Sequence, residues 1–130
     1  MTFEQILQGA EVLSQSGDAS VAGLAYDSRR VKPGYLFVAM QGETSNGNQF
    51  IDRAIAAGAV AVVTDSAAEK PRAGVAWALV PHGRRVLARL SANFYKQPAE
   101  RLAITGVTGT NGKSTTTFLL ESILNTADRK

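Results

Sequence analysis

Ile104-Thr105-Gly106-Val107-Thr108-Gly109-Thr110-Asn111-Gly112-Lys113-Ser114 decides how this chain is read. The apolar run Leu102–Thr105 predicts a strand, and Ser114–Leu124 predicts a helix. A glycine-rich segment between a strand and a helix is the setting that a phosphate-binding loop requires. Glycines let the backbone curl so that successive N–H groups point at phosphate oxygens. The start of the helix adds a partial positive charge. Lys113 supplies a full one for the β- and γ-phosphates, and the Ser114 hydroxyl can ligate a bridging Mg²⁺. The expected cofactors are therefore ATP and Mg²⁺. Gly109, Thr110, Asn111, Gly112, Lys113, Ser114 and Thr115 are the expected nucleotide-binding residues, with Lys113 the catalytic cation and Ser114 the metal ligand. The strict loop pattern places a glycine five positions before Gly112, where this chain has Val107; its glycines stand at 106 and 109 instead. The bland alternative is a glycine turn with Lys113 solvated.

Upstream, the pattern is mixed α/β. Thr2 with Gln5 predicts a capping box opening a helix to Leu13, with Phe3, Ile6, Leu7 and Ala10 on one face. Gln15–Ser20 reads as a turn and Val21–Tyr26 as a short strand. Asp27-Ser28-Arg29-Arg30 follows, then a Pro33-Gly34 turn and the strand Leu36–Ala39. A polar loop, Gln41–Gln49, leads to a helix through Phe50, Ile51, Ala54, Ile55 and Ala57, with Gly58 at its C-terminus. Strands are expected at Ala59–Val63 and Val75–Val80. A helix opening at Pro81 should run to about Tyr95, with Val86, Leu87, Leu90 and Phe94 inward, until Gln97-Pro98 breaks it. That break is the expected boundary between a domain at 1–98 and the start of a second at 99–130. Asn125–Lys130 is polar and is expected to be a frayed tail.

Composition narrows the function classes. With no cysteine and one histidine, thiolate chemistry, disulfides, Cys-ligated metals and histidine clusters are excluded. The net charge of +3 is scattered, with no run of like charges, and gives no support to nucleic-acid binding. The longest apolar stretch, Ala54–Val63, is far shorter than the roughly 20 residues of a membrane-spanning helix, and no leader pattern opens the chain. A cytoplasmic monomer is expected. His82 reads as a surface residue at a helix start, Trp77 and Tyr95 as core, and Arg84 and Arg85 as a solvated helix face.

Gly106-Val107-Thr108-Gly109-Thr110-Asn111-Gly112-Lys113-Ser114 resembles the ATP loop of the Mur ligases, which join amino acids to a UDP-linked muramoyl peptide. The front half resembles the same family independently. Asp27-Ser28-Arg29, Val31-Lys32-Pro33-Gly34, Leu36-Phe37-Val38-Ala39, Gly42, Gly47, Phe50 and Gly58-Ala59-Val60-Ala61-Val62 follow its uridine-binding N-terminal domain in order. Within the family the loop is most similar to that of members adding the third residue, meso-diaminopimelate or L-lysine, to UDP-N-acetylmuramoyl-L-alanyl-D-glutamate. Members adding D-Ala-D-Ala are the alternative. The resemblance implies substrate contacts from Tyr26, Ser28 and Arg29, and from Glu43, Thr44 and Ser45 in the polar loop. It implies that ATP activates the D-glutamyl carboxylate as an acyl phosphate, which an incoming amine attacks. Many relatives carry Asp-Gly where this chain has Asn46-Gly47, a change that keeps the turn and loses a charge.

The implied fold is a small mixed α/β uridine-binding domain followed by the first strand, phosphate loop and helix of a parallel-sheet ATP domain. The amino-acid pocket and the family's other Mg²⁺ ligands are expected beyond Lys130, so the chain reads as an N-terminal portion of a ligase. By itself it is expected to act as a UDP-sugar-binding module without turnover.

Overall fold

The computed structural model describes residues 1–127. It divides into two compact units, Met1–Pro98 and Ala99–Lys130.

The first unit is organised by its most apolar, β-branched runs. Tyr35–Ala39 (β3) and Ala59–Thr64 (β4) pair in parallel at the centre of a five-stranded sheet. Gly23–Ala25 (β2) lies parallel to β3, and Ala76–Leu79 (β5) lies parallel to β4. Ser14–Ser16 (β1) runs antiparallel along β5, giving the order β1-β5-β4-β3-β2. Strands covered on both faces read as continuous apolar runs, and β3 and β4 do so because helices cover both sides. Leu36, Val38, Ala61 and Val63 share one core with Phe3, Ile6 and Leu7 of α1 (Phe3–Leu7) and with Val86 and Leu90 of α3 (Gly83–Phe94). Phe37, Ala39, Val62 and Trp77 face the other way, onto Ile51 and Ala54 of α2 (Ile51–Ala56). Fully burying a side chain such as Phe37 or Leu36, both 0% exposed, contributes about 1.5–3 kcal/mol each. A register shift between Tyr35 and Leu36, which pair with Ala59 and Ala61, leaves Val60 as an extra residue in β4. Ala59 and Ala61 consequently face opposite cores although they are two apart.

Several expected elements change at their ends. The capping box at Thr2 and Gln5 forms, but α1 stops at Leu7 instead of reaching Leu13. The Asn93 side-chain amide, on α3, donates to the carbonyls of Ile6 and Gln8 at 2.8 Å each, so tertiary contacts take over the acceptors that another helical turn would have used. The expected turn at Gln15–Ser20 begins with β1, a polar, exposed edge strand. The 50–57 helix is preceded by a 3₁₀ turn, Gly47–Phe50, and Gly58 follows it at φ +99°, where its missing Cβ also lets Pro33 approach. His82 is the exposed N-cap of α3 and Trp77 is core. Tyr95 is not core: it is 63% exposed at the C-cap, edge-on against Phe94. The helix stops ahead of the proline because Lys96 and Gln97 both turn left-handed, at φ 60° and 52°, and donate back to the carbonyls of Asn93 and Ala92.

A 3₁₀ turn, Pro98–Arg101, leads into the second unit, whose helix α4 spans Lys113–Thr126. The strand expected at Leu102–Thr105 does not form. A strand exists through its ladder, and among the described residues no strand of this unit is there to pair with it. Leu102, Ile104, Phe118, Leu119 and Ile123 are correspondingly exposed. Of the polar tail expected from 125 on, Asn125 and Thr126 belong to α4, and residues 128–130 lie outside the described residues. Among the described residues no helix is long and apolar enough to cross a membrane.

Candidate functional site

The carboxyl ends of parallel strands in an open sheet are where ligands characteristically bind. In the first unit two loops leave that edge. Tyr26-Asp27-Ser28-Arg29 follows β2, and Met40–Gly47 follows β3. They border one cleft of about 500 Å³. Of the six residues expected to touch substrate, Tyr26, Ser28, Arg29 and Ser45 line it. Glu43 and Thr44 do not; the Glu43 carboxylate lies 4.0 Å from the Arg84 guanidinium, turned to α3. Asp27, Gly47, Phe50 and Arg53 complete the lining.

The β2 loop is shaped by Asp27. Its carboxylate accepts the Arg29 backbone N–H at 3.0 Å, capping the 3₁₀ turn Ser28–Arg30. The same carboxylate takes the Arg29 side chain as a fork, Nε at 3.0 Å and Nη2 at 2.7 Å. The Arg29 side-chain and backbone hydrogen bonds hold the Asp27 carboxyl down at about 2, from an ordinary 3.8, and the carboxylate pushes the Arg29 guanidinium up. Ser28, between them, is buried, beside a half-buried Asp27 and an exposed Arg29.

The β3 loop is pinned at both ends. The Gln41 N–H donates to both Asp65 carboxylate oxygens at 3.1 Å. At the far end Asn48 donates through Nδ2 to Asn46 and to Asp65 at 3.0 Å each, and accepts the buried Thr64 hydroxyl at 2.7 Å. The Gly47 N–H reaches the Met40 carbonyl at 2.9 Å, and a Cβ at Gly47 would stand 2.8 Å from that oxygen. Asn46 caps the 3₁₀ turn through its side chain, which an aspartate would do equally well, so the turn survives the loss of charge.

In the second unit, Gly109 sits at φ +152° and Gly112 at φ +75°, a conformation open to glycine, and Gly112 is the N-cap of α4. No side chain caps the helix, which leaves its first N–H groups without a side-chain acceptor. The Lys113 ammonium folds over the loop and donates to the Gly109 carbonyl at 2.6 Å. Thr116 and Thr117 spend their hydroxyls on backbone carbonyls, those of Gly112 and Ser114. Among the described residues no three His, Cys, Asp or Glu side chains are grouped to hold a metal.

Phe50 and Arg53 were missed as site residues. Phe50 read as part of an amphipathic helix, and Arg53 carries no local signal, because the packing of α2 against the sheet and the Ser28–Arg30 turn brings it to the cleft.

Residues 20–95 match the family described as Mur ligase family, catalytic domain. The UDP-N-acetylmuramoyl-L-alanyl-D-glutamate--2,6-diaminopimelate ligase of Solibacter usitatus (strain Ellin6076) is 50% identical over 107 residues, 82% of this chain and 22% of that protein. Two solved structures share the fold. One is the UDP-N-acetylmuramoylalanyl-D-glutamyl-2,6-diaminopimelate--D-alanyl-D-alanyl ligase of Acinetobacter baumannii, with a TM-score of 0.67 and 26% identity over 94% of this chain and 27% of that one. The other is the MurF ligase of Thermotoga maritima in complex with ADP, with a TM-score of 0.57 and 30% identity over 79% of this chain and 23% of that one. The chain thus spans about a quarter of the length of the proteins it matches. A family match across more than half of its residues, covering both loops of the cleft, makes this chain a member of the Mur ligase family.

Proposed function

We propose that the first unit holds the uridine diphosphate portion of UDP-N-acetylmuramoyl-L-alanyl-D-glutamate. In the same reading the second unit contributes the ATP phosphate loop of a ligase that adds a diamino acid to that substrate during peptidoglycan synthesis. The observation that carries the reading is one cleft at the strand ends that brings Tyr26, Ser28, Arg29 and Ser45 together from two separate loops. Hydroxyls at Ser28 and Ser45 suit ribose or phosphate oxygens, and the exposed Tyr26 ring suits stacking on a base. Identity of 50% to a diaminopimelate-adding relative supports addition of the third residue over addition of D-Ala-D-Ala, the activity for which the Acinetobacter ligase is named.

The loop residues fit a nucleotide triphosphate. Gly109 and Gly112 take backbone conformations open to glycine, the first N–H groups of α4 carry no side-chain cap, and the Lys113 ammonium already lies over the loop. ADP in the Thermotoga relative supports the same assignment. Lys113 would hold the β- and γ-phosphates, and Ser114 would give one ligand to Mg²⁺. ATP supplies the phosphoryl group that activates a carboxylate for amide formation; the part of this chain is to bind and orient it.

Calorimetric titration of the folded chain with UDP-N-acetylmuramoyl-L-alanyl-D-glutamate tests the substrate half. Saturable binding that weakens in Ser28→Ala is the expected result. No heat from a chain shown to be folded refutes it.

A further inference from the structure

We infer that Arg53, and not Arg29, is the cation that carries the diphosphate in this cleft. The inference rests on the uridine reading above and goes on to say which charge does the binding.

Arg29 is the obvious candidate from sequence, but its guanidinium is already engaged. Asp27 takes its Nε and Nη2 as a fork, so the pair brings little net charge to the cleft. A phosphate recruiting Arg29 would have to compete with a carboxylate held two residues away on the same turn. Arg53 is differently placed. It lines the same cleft from α2 and has no carboxylate partner among the described residues. The nearest acid in sequence, Asp52, is turned to Arg72, whose Nε donates to it at 3.0 Å. Arg72 is itself seated over the Trp77 ring and beside Glu69. Glu43, the one other acid in either loop, faces Arg84 outside the cleft. The cleft is thus left with one uncompensated positive charge, and Arg53 bears it. A dianionic diphosphate in a site with a single free guanidinium will take that guanidinium, by a charge-assisted and often bidentate contact.

Calorimetry of the 130-residue chain with two probes, UDP and uridine, tests this. Arg53 is exposed on a helix, so its replacement by alanine leaves the fold intact. Arg53→Ala is expected to weaken UDP about tenfold while uridine binding stays within twofold, because only UDP carries the charge. Arg53→Lys should recover part of the loss, and the UDP affinity of Arg53→Ala should be less salt-dependent than that of the parent. Arg30→Ala, a neighbouring cation outside the cleft, should leave UDP binding unchanged; an equal loss there would reduce Arg53 to long-range attraction and overturn the assignment. Undiminished UDP binding by Arg53→Ala overturns the inference alone. Failure of the parent chain to bind either probe overturns the uridine site and this inference with it.

Discussion

Thr64→Val isolates one buried hydroxyl. Thr64 is 0% exposed; its Oγ1 donates to Asn48 Oδ1 at 2.7 Å and accepts the Ser66 N–H at 3.1 Å. Valine has nearly the same shape, so no cavity opens. What is lost is the sole partner of Asn48 Oδ1, in a side chain only 5% exposed, and a partner of a half-buried N–H. An unsatisfied buried acceptor costs about 1–3 kcal/mol, and the Ser66 N–H can turn partly to water, so the total should be about 2 kcal/mol. For a unit of this size that is a fall of roughly 8–16 °C in Tm. Thermal unfolding followed by circular dichroism measures it, with Thr64→Ser as the control that keeps the hydroxyl and gives up one methyl. A fall below about 3 °C in Thr64→Val, or a larger fall in Thr64→Ser, would refute the reasoning that the hydroxyl, and not the volume, matters here.

Asp27 makes a pH prediction. Its carboxyl is held at about 2 when folded against an ordinary 3.8, so its contribution to stability is present above about pH 4 and is lost as the pH falls towards 2; Asp27→Asn should flatten the acid limb of the stability curve in that window, and an unchanged limb would contradict the fork to Arg29. Hydrogen exchange should separate the two units. Ile104 and Leu119 are 68% and 61% exposed where Val62 is 0%, so their amides should exchange at least about a hundredfold faster, and equal protection would contradict it.

The parts of the fold legible in sequence are those with local causes. Apolar runs too continuous for one-sided burial announced β3 and β4, and the Thr2–Gln5 box announced α1. The loops after β2 and β3 were legible because polar residues followed apolar strands, and the cleft joins them. What could not be read was set at long range. The early stop of α1 depends on Asn93, the polar strand β1 exists only because β5 offers an edge, and Arg53 becomes a cleft residue through helix packing. At Leu102–Thr105 the reverse held: a good local strand signal stayed unpaired, since propensity is not sufficient for a strand without a ladder.

The clamp from Asn93 to Ile6 and Gln8 spans 87 and 85 residues, and β1 reaches forward to Leu79. During synthesis the N-terminal segment therefore emerges long before the partners that complete its cover. Phe3, Ile6 and Leu7 must wait, apolar and only partly covered, until β5 and α3 have left the ribosome. Chains usually fold from the front as they are made, but here the front is the last part of the first unit able to settle, and the interval of exposure is fixed by how fast the intervening residues are translated.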